Sequence, residues 1–117
     1  MCDKDKILLK YILEESEFLY SNSSNCTYDL FLQDPILKRA FARSIEIIGE
    51  AAKKLSPEFK SENPEINWRA ISGMRDKLIH EYFGVDYLIV WDVATNKSKE
   101  LIDFIKSLDS SDILTIF

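Results

Sequence analysis

The sequence has few of the residues from which metal centres and disulfide frameworks are built. Among 117 residues there is one histidine, His80, and two cysteines, Cys2 and Cys26, too few ligands for the common structural zinc sites. No apolar run approaches the roughly 18 residues that a membrane span requires, and charges interrupt the N-terminus, unlike a secretory signal peptide. We therefore expect a cytoplasmic protein with free thiols and no membrane partner, metal or other cofactor.

The length and composition predict a single domain. With 46% hydrophobic residues, a chain of this size can bury one core. We expect one helical domain over residues 1–117, with its core at about residues 5–108 and a C-terminal tail at residues 109–117. The tail ends in the apolar run ILTIF, for which a short strand and a docked extension both remain open.

The charges are unevenly distributed around a net charge of −5. Residues 1–37 carry three Lys against seven acidic residues, residues 38–77 carry nine Lys or Arg against six, and residues 78–117 carry three Lys against seven. The middle segment is therefore basic and both flanks are acidic. This pattern is compatible with a local anion-binding surface, although a solvated mixture of charges is the more common explanation.

The spacing of apolar residues predicts helices almost throughout. We expect a first helix from about Asp5 to Tyr20, followed by a polar linker at residues 21–27. Asp34 followed by Pro35 is a typical helix N-terminus, and the second helix starts there with an apolar arc of about 180°. An arc this wide indicates a central helix, or one that also packs against a partner.

Further helices complete the predicted fold. Gly49, inside the second helix, indicates the close approach of another backbone. A third helix is expected at residues 68–83, with Asn67 as its N-cap and Gly84 as the residue that ends it. A fourth begins after Asp86 and continues to about residue 108. The predicted fold class is all-α, an antiparallel bundle of four main helices.

The one histidine lies in the segment MRDKLIHEYFG, residues 74–84. On a helix, His80 would point away from the apolar stripe. Asp76 would lie one turn before it, where a carboxylate can orient an imidazole and raise its pKa. His80 is therefore predicted to face outward rather than into the core.

Arg75 falls inside the predicted apolar stripe, where a guanidinium needs an acidic partner. Glu46 and Glu50 on the second helix are the candidates. Each residue also has an ordinary structural explanation: a brace for Arg75, favourable helix-dipole placement for His80, and core packing for Tyr82. On one straight helix Arg75 and His80 are about 140° apart, so a joint site needs the helix to end early or a second chain to complete it.

The segment resembles a known signature. Arg75, His80 and Tyr82 match the Arg-x4-His-x-Tyr pattern of HepT-like toxins in the HEPN superfamily, and the polar Asp76 after the arginine also fits. Three flanking segments look like this family as well: IGEAAKKLSPEF (48–59), WRAISGM (68–74) and IHEYFGVDYLIVWDV (79–93). The likeness covers roughly residues 5–108.

The resemblance implies a helical bundle that forms a homodimer, with two copies of the motif facing each other across a cleft. It implies a metal-independent endoribonuclease that acts on RNA such as tRNA or mRNA, with His80 and Arg75 as catalytic residues and Asp76 as support. It further implies the toxin of a toxin–antitoxin system, in which a minimal nucleotidyltransferase antitoxin adds AMP to Tyr82.

Two other functions remain open at this point. One is a non-catalytic helical partner that holds substrate for a nucleotidyltransferase. The intact Arg75 and His80 pair argues against it, because that role needs neither residue. The other is a purely structural dimerisation bundle, for which the wide apolar arc of the second helix would be sufficient.

Overall fold

The described part of the protein consists of helices and one pair of two-residue strands. The computed structural model describes residues 1–80 and 84–108, with the backbone alone at residues 79 and 80. The helices are α1 (Asp3–Ser24), α2 (Tyr28–Leu32), α3 (Pro35–Lys54), α4 (Pro57–Glu62), α5 (Trp68–Ser72), α6 (Met74–Leu78), α7 (Tyr87–Asp92) and α8 (Ser98–Ser107), with a π-helical segment (Val93–Lys97) between α7 and α8. Strands β1 (Ile79–His80) and β2 (Gly84–Val85) pair antiparallel. The ILTIF tail lies outside the described residues.

The predicted all-α class is confirmed for the described residues, but two predicted boundaries are wrong. The third of the four expected helices is instead two short ones, α5 and α6, separated at Gly73. The predicted polar linker is mostly helical, because α1 continues to Ser24 and its side chains bond to the preceding turn: Ser24 Oγ donates to the Tyr20 carbonyl. The helix α2, capped by Thr27, has no counterpart in the prediction.

Five of the described helices begin after a short polar side chain that caps them, and the predicted starts of α3, α5 and α7 are among them. The Asp34 carboxylate accepts from two amides of the first turn of α3, and Pro35 follows it at the first helical position. Ser56, Asn67 and Asp86 cap α4, α5 and α7 in the same way. Each cap satisfies backbone N–H groups that have no partner within the helix.

The central helix is α3, as its wide apolar arc predicts. It packs against α1, α2, α5, α6 and α7. A Cβ built at Gly49 would lie 3.5 Å from the carbonyl oxygens of Ile71 and Ser72, so the backbone of α5 does approach α3 closely at this point. The helix that carries Glu46 is thereby fixed against the helix that leads to the motif.

Two groups of aromatic rings hold the ends of the bundle together. Phe31 of α2 packs on Phe41 of α3, with ring centroids 5.1 Å apart, and on Trp91 of α7 at 5.2 Å. Phe59 and Trp68 form a second group, 5.6 Å apart, against α8. The first group joins α2, α3 and α7, and Lys38 near the start of α3 lies over the ring of Tyr87 at the start of α7.

The π-helical segment lies between α7 and α8 and packs against α1. The Ala94 carbonyl accepts hydrogen bonds from the hydroxyls of Ser98 and Ser23, and both serines are buried. A π segment disturbs the regular i to i+4 pattern, and these hydroxyls supply hydrogen bonds to one of its carbonyl groups.

One buried carboxylate ties the N-terminus to α4. Asp5 is 2% exposed and accepts from the amide and hydroxyl of Ser56 at 2.9 and 2.6 Å. That hydroxyl also accepts from the Phe59 amide. Burial by itself raises the pKa of Asp5, but the hydrogen bonds from Ser56 and Cys2 and the charge of Lys4 together hold it below its ordinary value of 3.8.

Candidate active site

The helix that leads to the motif ends before the histidine. The prediction of one helix at residues 68–83 is wrong, because α6 ends at Leu78 and β1 follows directly. The Leu78 carbonyl accepts from the Asp86 amide at 2.6 Å. This bond joins the two residues that flank residues 79–85. Gly84 does have the left-handed φ of +79° expected of a glycine that ends a helix, but it lies in β2 and not at a helix end.

Arg75 lies on the solvent side of α6. Met74 and Leu78 are buried, whereas the Arg75 side chain is 48% exposed. The predicted position inside a buried stripe is therefore wrong: Ile71, Met74 and Leu78 form the buried side, and Arg75 lies beside it on the exposed side. The predicted partner is confirmed: Arg75 Nε lies 3.7 Å from Glu46 Oε2.

Asp76 is the second acidic neighbour of Arg75. Its side chain is 78% exposed, and its carboxylate lies 3.8 Å from Arg75 Nη1. The expected position one helical turn before the histidine does not hold, because the backbone leaves the helix at Leu78. The predicted supporting role of Asp76 stays a prediction.

His80 occupies a strand rather than a helix. Its backbone pairs with Gly84 across β1 and β2, and Ile79 pairs with Val85. The angle computed for His80 on a continuous helix, and the outward direction inferred from it, therefore no longer apply. Tyr82 lies outside the described residues.

Glu46 connects the motif to α3. The same oxygen, Oε2, lies 3.6 Å from Arg43 Nη1 and 3.7 Å from Arg75 Nε, so one carboxylate is shared by two arginines. Arg43 is a contact that the motif does not indicate. Its signal in the sequence is the i, i+3 spacing to Glu46 on the exposed side of α3.

A shallow groove between α1 and α3 begins at these side chains. Its polar lining contains three cations and four carboxylates: Arg43, Lys54, Arg75, Glu14, Glu15, Glu46 and Glu50. The three cations lie on α3 and α6, beside Glu46 and Glu50 of α3, whereas both charged residues from α1 are carboxylates. The cations of the groove are thus all on one side, together with two of the acids.

None of the helices in residues 1–80 and 84–108 combines the length and apolar character that a membrane crossing needs. Cys2 and Cys26, expected as free thiols, are both unpaired, the first exposed and the second half-buried.

The sequence is similar to a family of ribonucleases over most of its length. A family model described as "Ribonuclease HepT-like" matches residues 11–108. A protein of Caldanaerobacter subterraneus named "Putative RNase" is 47% identical over 100 residues, covering 86% of this chain and 89% of its own. A "Probable ribonuclease HepT" of Thermococcus cleftensis is 43% identical over 99 residues, covering 80% and 90%. A "Putative RNase" of Methanocaldococcus jannaschii is 39% identical over 105 residues, covering 86% and 87%. No solved structure matches the chain.

Proposed function

The chain belongs to the HepT-like ribonuclease family of the HEPN superfamily, and we propose that it is a metal-independent endoribonuclease with Arg75 and His80 at a homodimer cleft. The observation that carries this proposal is the end of α6 at Leu78, between the two residues. Arg75 is on a helix and His80 on a strand, so the separation of about 140° that one straight helix imposes does not apply.

The proposed reaction needs two proton transfers. His80 of one copy takes the proton from a 2′-hydroxyl, whose oxygen attacks the adjacent phosphorus, and the bond from phosphorus to the 5′ oxygen breaks. The leaving oxygen receives a proton from the second copy's histidine, because one imidazole cannot accept and donate at the same moment. The products are a 2′,3′-cyclic phosphate and a 5′-hydroxyl.

The surroundings of Arg75 support its proposed role in stabilising charge on the reacting phosphate. Its side chain is 48% exposed, and the carboxylates of Glu46 and Asp76 lie 3.7 and 3.8 Å away. These separations are longer than a hydrogen bond of about 2.7–3.2 Å, so they leave the guanidinium donors available to phosphate oxygens. In this scheme Asp76 orients either the imidazole or the motif of the second copy.

Regulation by a minimal nucleotidyltransferase completes the proposal. The chain would act as the toxin of a toxin–antitoxin pair, and the antitoxin would add AMP to Tyr82. Tyr82 is two residues beyond His80 in the sequence. A phosphate attached there would bring negative charge and bulk next to the RNA site and repel the RNA backbone.

The catalytic assignment is tested with purified wild-type and His80→Ala proteins incubated with total tRNA and with a mixed-sequence mRNA. We expect the wild type to leave 2′,3′-cyclic phosphate ends and the variant to leave the RNA intact. Equal cleavage by the two proteins would refute the assignment. Size-exclusion chromatography with light scattering should give the mass of a dimer.

The regulatory assignment predicts a minimal nucleotidyltransferase gene beside this one, and it is tested by co-expressing the two proteins. Mass spectrometry should then find the Tyr82 peptide heavier by one AMP group, and the modified protein should no longer cut RNA. A stable complex without the mass gain, combined with no cleavage by the free protein, would instead favour a non-catalytic partner of the nucleotidyltransferase.

A further inference from the structure

We propose that Arg43 is a second phosphate-binding residue of the RNA site, and that Glu46 is a positioning residue that holds Arg43 and Arg75 side by side. This inference rests on the proposed ribonuclease function. It extends the site to two residues of α3, outside the motif of Arg75 and His80.

The geometry of Glu46 is the first support. Nitrogen atoms of the two guanidinium groups lie 3.6 and 3.7 Å from a single oxygen, Glu46 Oε2. The two cations are therefore immediate neighbours, although Arg43 is on α3 and Arg75 on α6. Without the Glu46 carboxylate, the like charges of the two arginines would repel each other. Both side chains are long and have other rotamers available, so they would move apart.

Exposure is the second support. The side chains of Arg43 and Arg75 are 69% and 48% exposed, whereas Glu46 is 34% exposed. The carboxylate is thus the more covered member, and the two cations are open to a ligand. Each guanidinium has five N–H donors, and separations beyond 3.5 Å leave them unsaturated. A phosphate oxygen can approach to about 2.7–2.9 Å and form the stronger, bidentate contact.

The charges around the groove set the direction of the RNA strand. On the α1 side, Glu15 accepts from Ser44 Oγ at 2.8 Å, which holds it in place, and Glu14 lies 3.9 Å from Lys10. These acids repel a phosphate backbone. A strand that places its reacting phosphate on Arg75 is therefore directed towards the arginines, with a neighbouring phosphate on Arg43.

A simpler role for Glu46 would be a brace that fixes α6 on α3. The two roles differ in what they affect. A brace contributes to the unfolding free energy, whereas a phosphate contact changes the salt dependence of RNA binding, because each neutralised phosphate releases counterions. The α3 helix offers a matched control in Arg39, one turn before Arg43, whose guanidinium donates to the Pro35 carbonyl at 3.0 Å.

The experiment measures binding of a fluorescein-labelled, mixed-sequence single-stranded RNA, by anisotropy at several salt concentrations. All proteins carry His80→Ala, so that the RNA is not cut. We expect Arg43→Gln to weaken binding about tenfold and to reduce the slope of log K against log salt by about 0.7, the value for one phosphate on a single strand. Arg39→Gln should change the slope by much less. Circular dichroism verifies that each variant is folded.

The positioning role of Glu46 is tested by cleavage kinetics in proteins that keep His80. Glu46→Gln should lower kcat severalfold while KM stays level or falls, because it loosens Arg75 and also removes a negative charge from the site. A rise in kcat would show that Glu46 only competes with RNA for Arg75, and equal salt slopes for the Arg43 and Arg39 variants would overturn the role of Arg43. Both results leave the ribonuclease function intact, since that depends on the His80→Ala comparison. If the wild type neither cuts nor binds the RNA, both proposals fail.

Discussion

Asp5 and Glu46 are two carboxylates that each hold neighbouring segments together, in opposite surroundings. Asp5 is 2% exposed and accepts from the amide and hydroxyl of Ser56 at 2.9 and 2.6 Å. Glu46 is 34% exposed, and its cationic partners lie at 3.6 and 3.7 Å. Short bonds to a buried charge contribute to stability, whereas exposed ion pairs contribute little. The Asp5 region should therefore govern folding, and the Glu46 region should govern activity.

The largest effect is expected from Arg75→Ala. Loss of a group that stabilises charge on the reacting phosphate should lower kcat/KM for RNA cleavage by about 10²–10³-fold. The unfolding free energy should change by less than about 1 kcal/mol, because the ion pairs of Arg75 are exposed. Arg69→Ala, which removes an exposed arginine of α5, is the control and should keep its activity. A large loss of stability in the Arg75 variant would show that this region, like the Asp5 region, governs folding.

The opposite result, a loss of stability without a loss of activity, is expected from Asp5→Ala. The substitution leaves the two half-buried Ser56 donors without their acceptor, which should cost about 1–3 kcal/mol of unfolding free energy in urea titrations. Asp3→Ala is the matched control, because Asp3 is 88% exposed and pairs only weakly with Lys6 at 3.9 Å. Cleavage per folded molecule should match the wild type for both. Equal stability of the two variants would contradict the comparison.

A smaller effect is expected from acid. The pKa of Asp5 is lower in the folded than in the unfolded chain, so the folded state binds fewer protons. Its contribution to stability is complete well above 3.8 and is lost as the pH falls through the folded pKa. The difference in unfolding free energy between wild type and Asp5→Ala should therefore be constant near neutral pH and narrow in acid. A difference that persists undiminished in acid would mean that Asp5 stabilises the fold without its charge.

The smallest effect is expected from Gly49→Ala, which probes α3 between the two regions. A Cβ at this position would lie 3.5 Å from two carbonyl oxygens of α5, an ordinary contact distance. The gain in helix propensity should therefore dominate, with stabilisation of up to about 1 kcal/mol in thermal unfolding. Unchanged RNA cleavage would show that α5 and α6 keep their positions. Destabilisation would show that α5 cannot move away from α3 to make room for the added methyl group.

The helical core is readable from the sequence because its signals are local. Asp34 followed by Pro35 gives the start of α3, and Asn67 and Asp86 give the starts of α5 and α7. Gly49 likewise indicates the approach of α5. In each case the residue that carries the signal is the residue that makes the contact.

The end of α6 before the histidine depends on contacts between residues far apart in the sequence, and the spacing of apolar residues gives no sign of it. Residues 71, 74 and 78 keep helical spacing up to the point where the helix ends. What ends it is a bond between the Leu78 carbonyl and the amide of Asp86, eight residues later, together with the pairing of β1 and β2. Gly84 was predicted to end a helix, whereas it lies in a strand pair. Glu46 was one of two partners predicted for Arg75, and the structure selects it over Glu50, whereas the part of Arg43 in this cluster was not predicted.

The bond between Leu78 and Asp86 also makes one amide a reporter of site assembly. It closes the backbone segment that carries His80, so the Asp86 amide can exchange its hydrogen for deuterium only when that closure opens. The protection factor of this amide therefore measures the free energy of the local opening that detaches the histidine segment from the ends of α6 and α7.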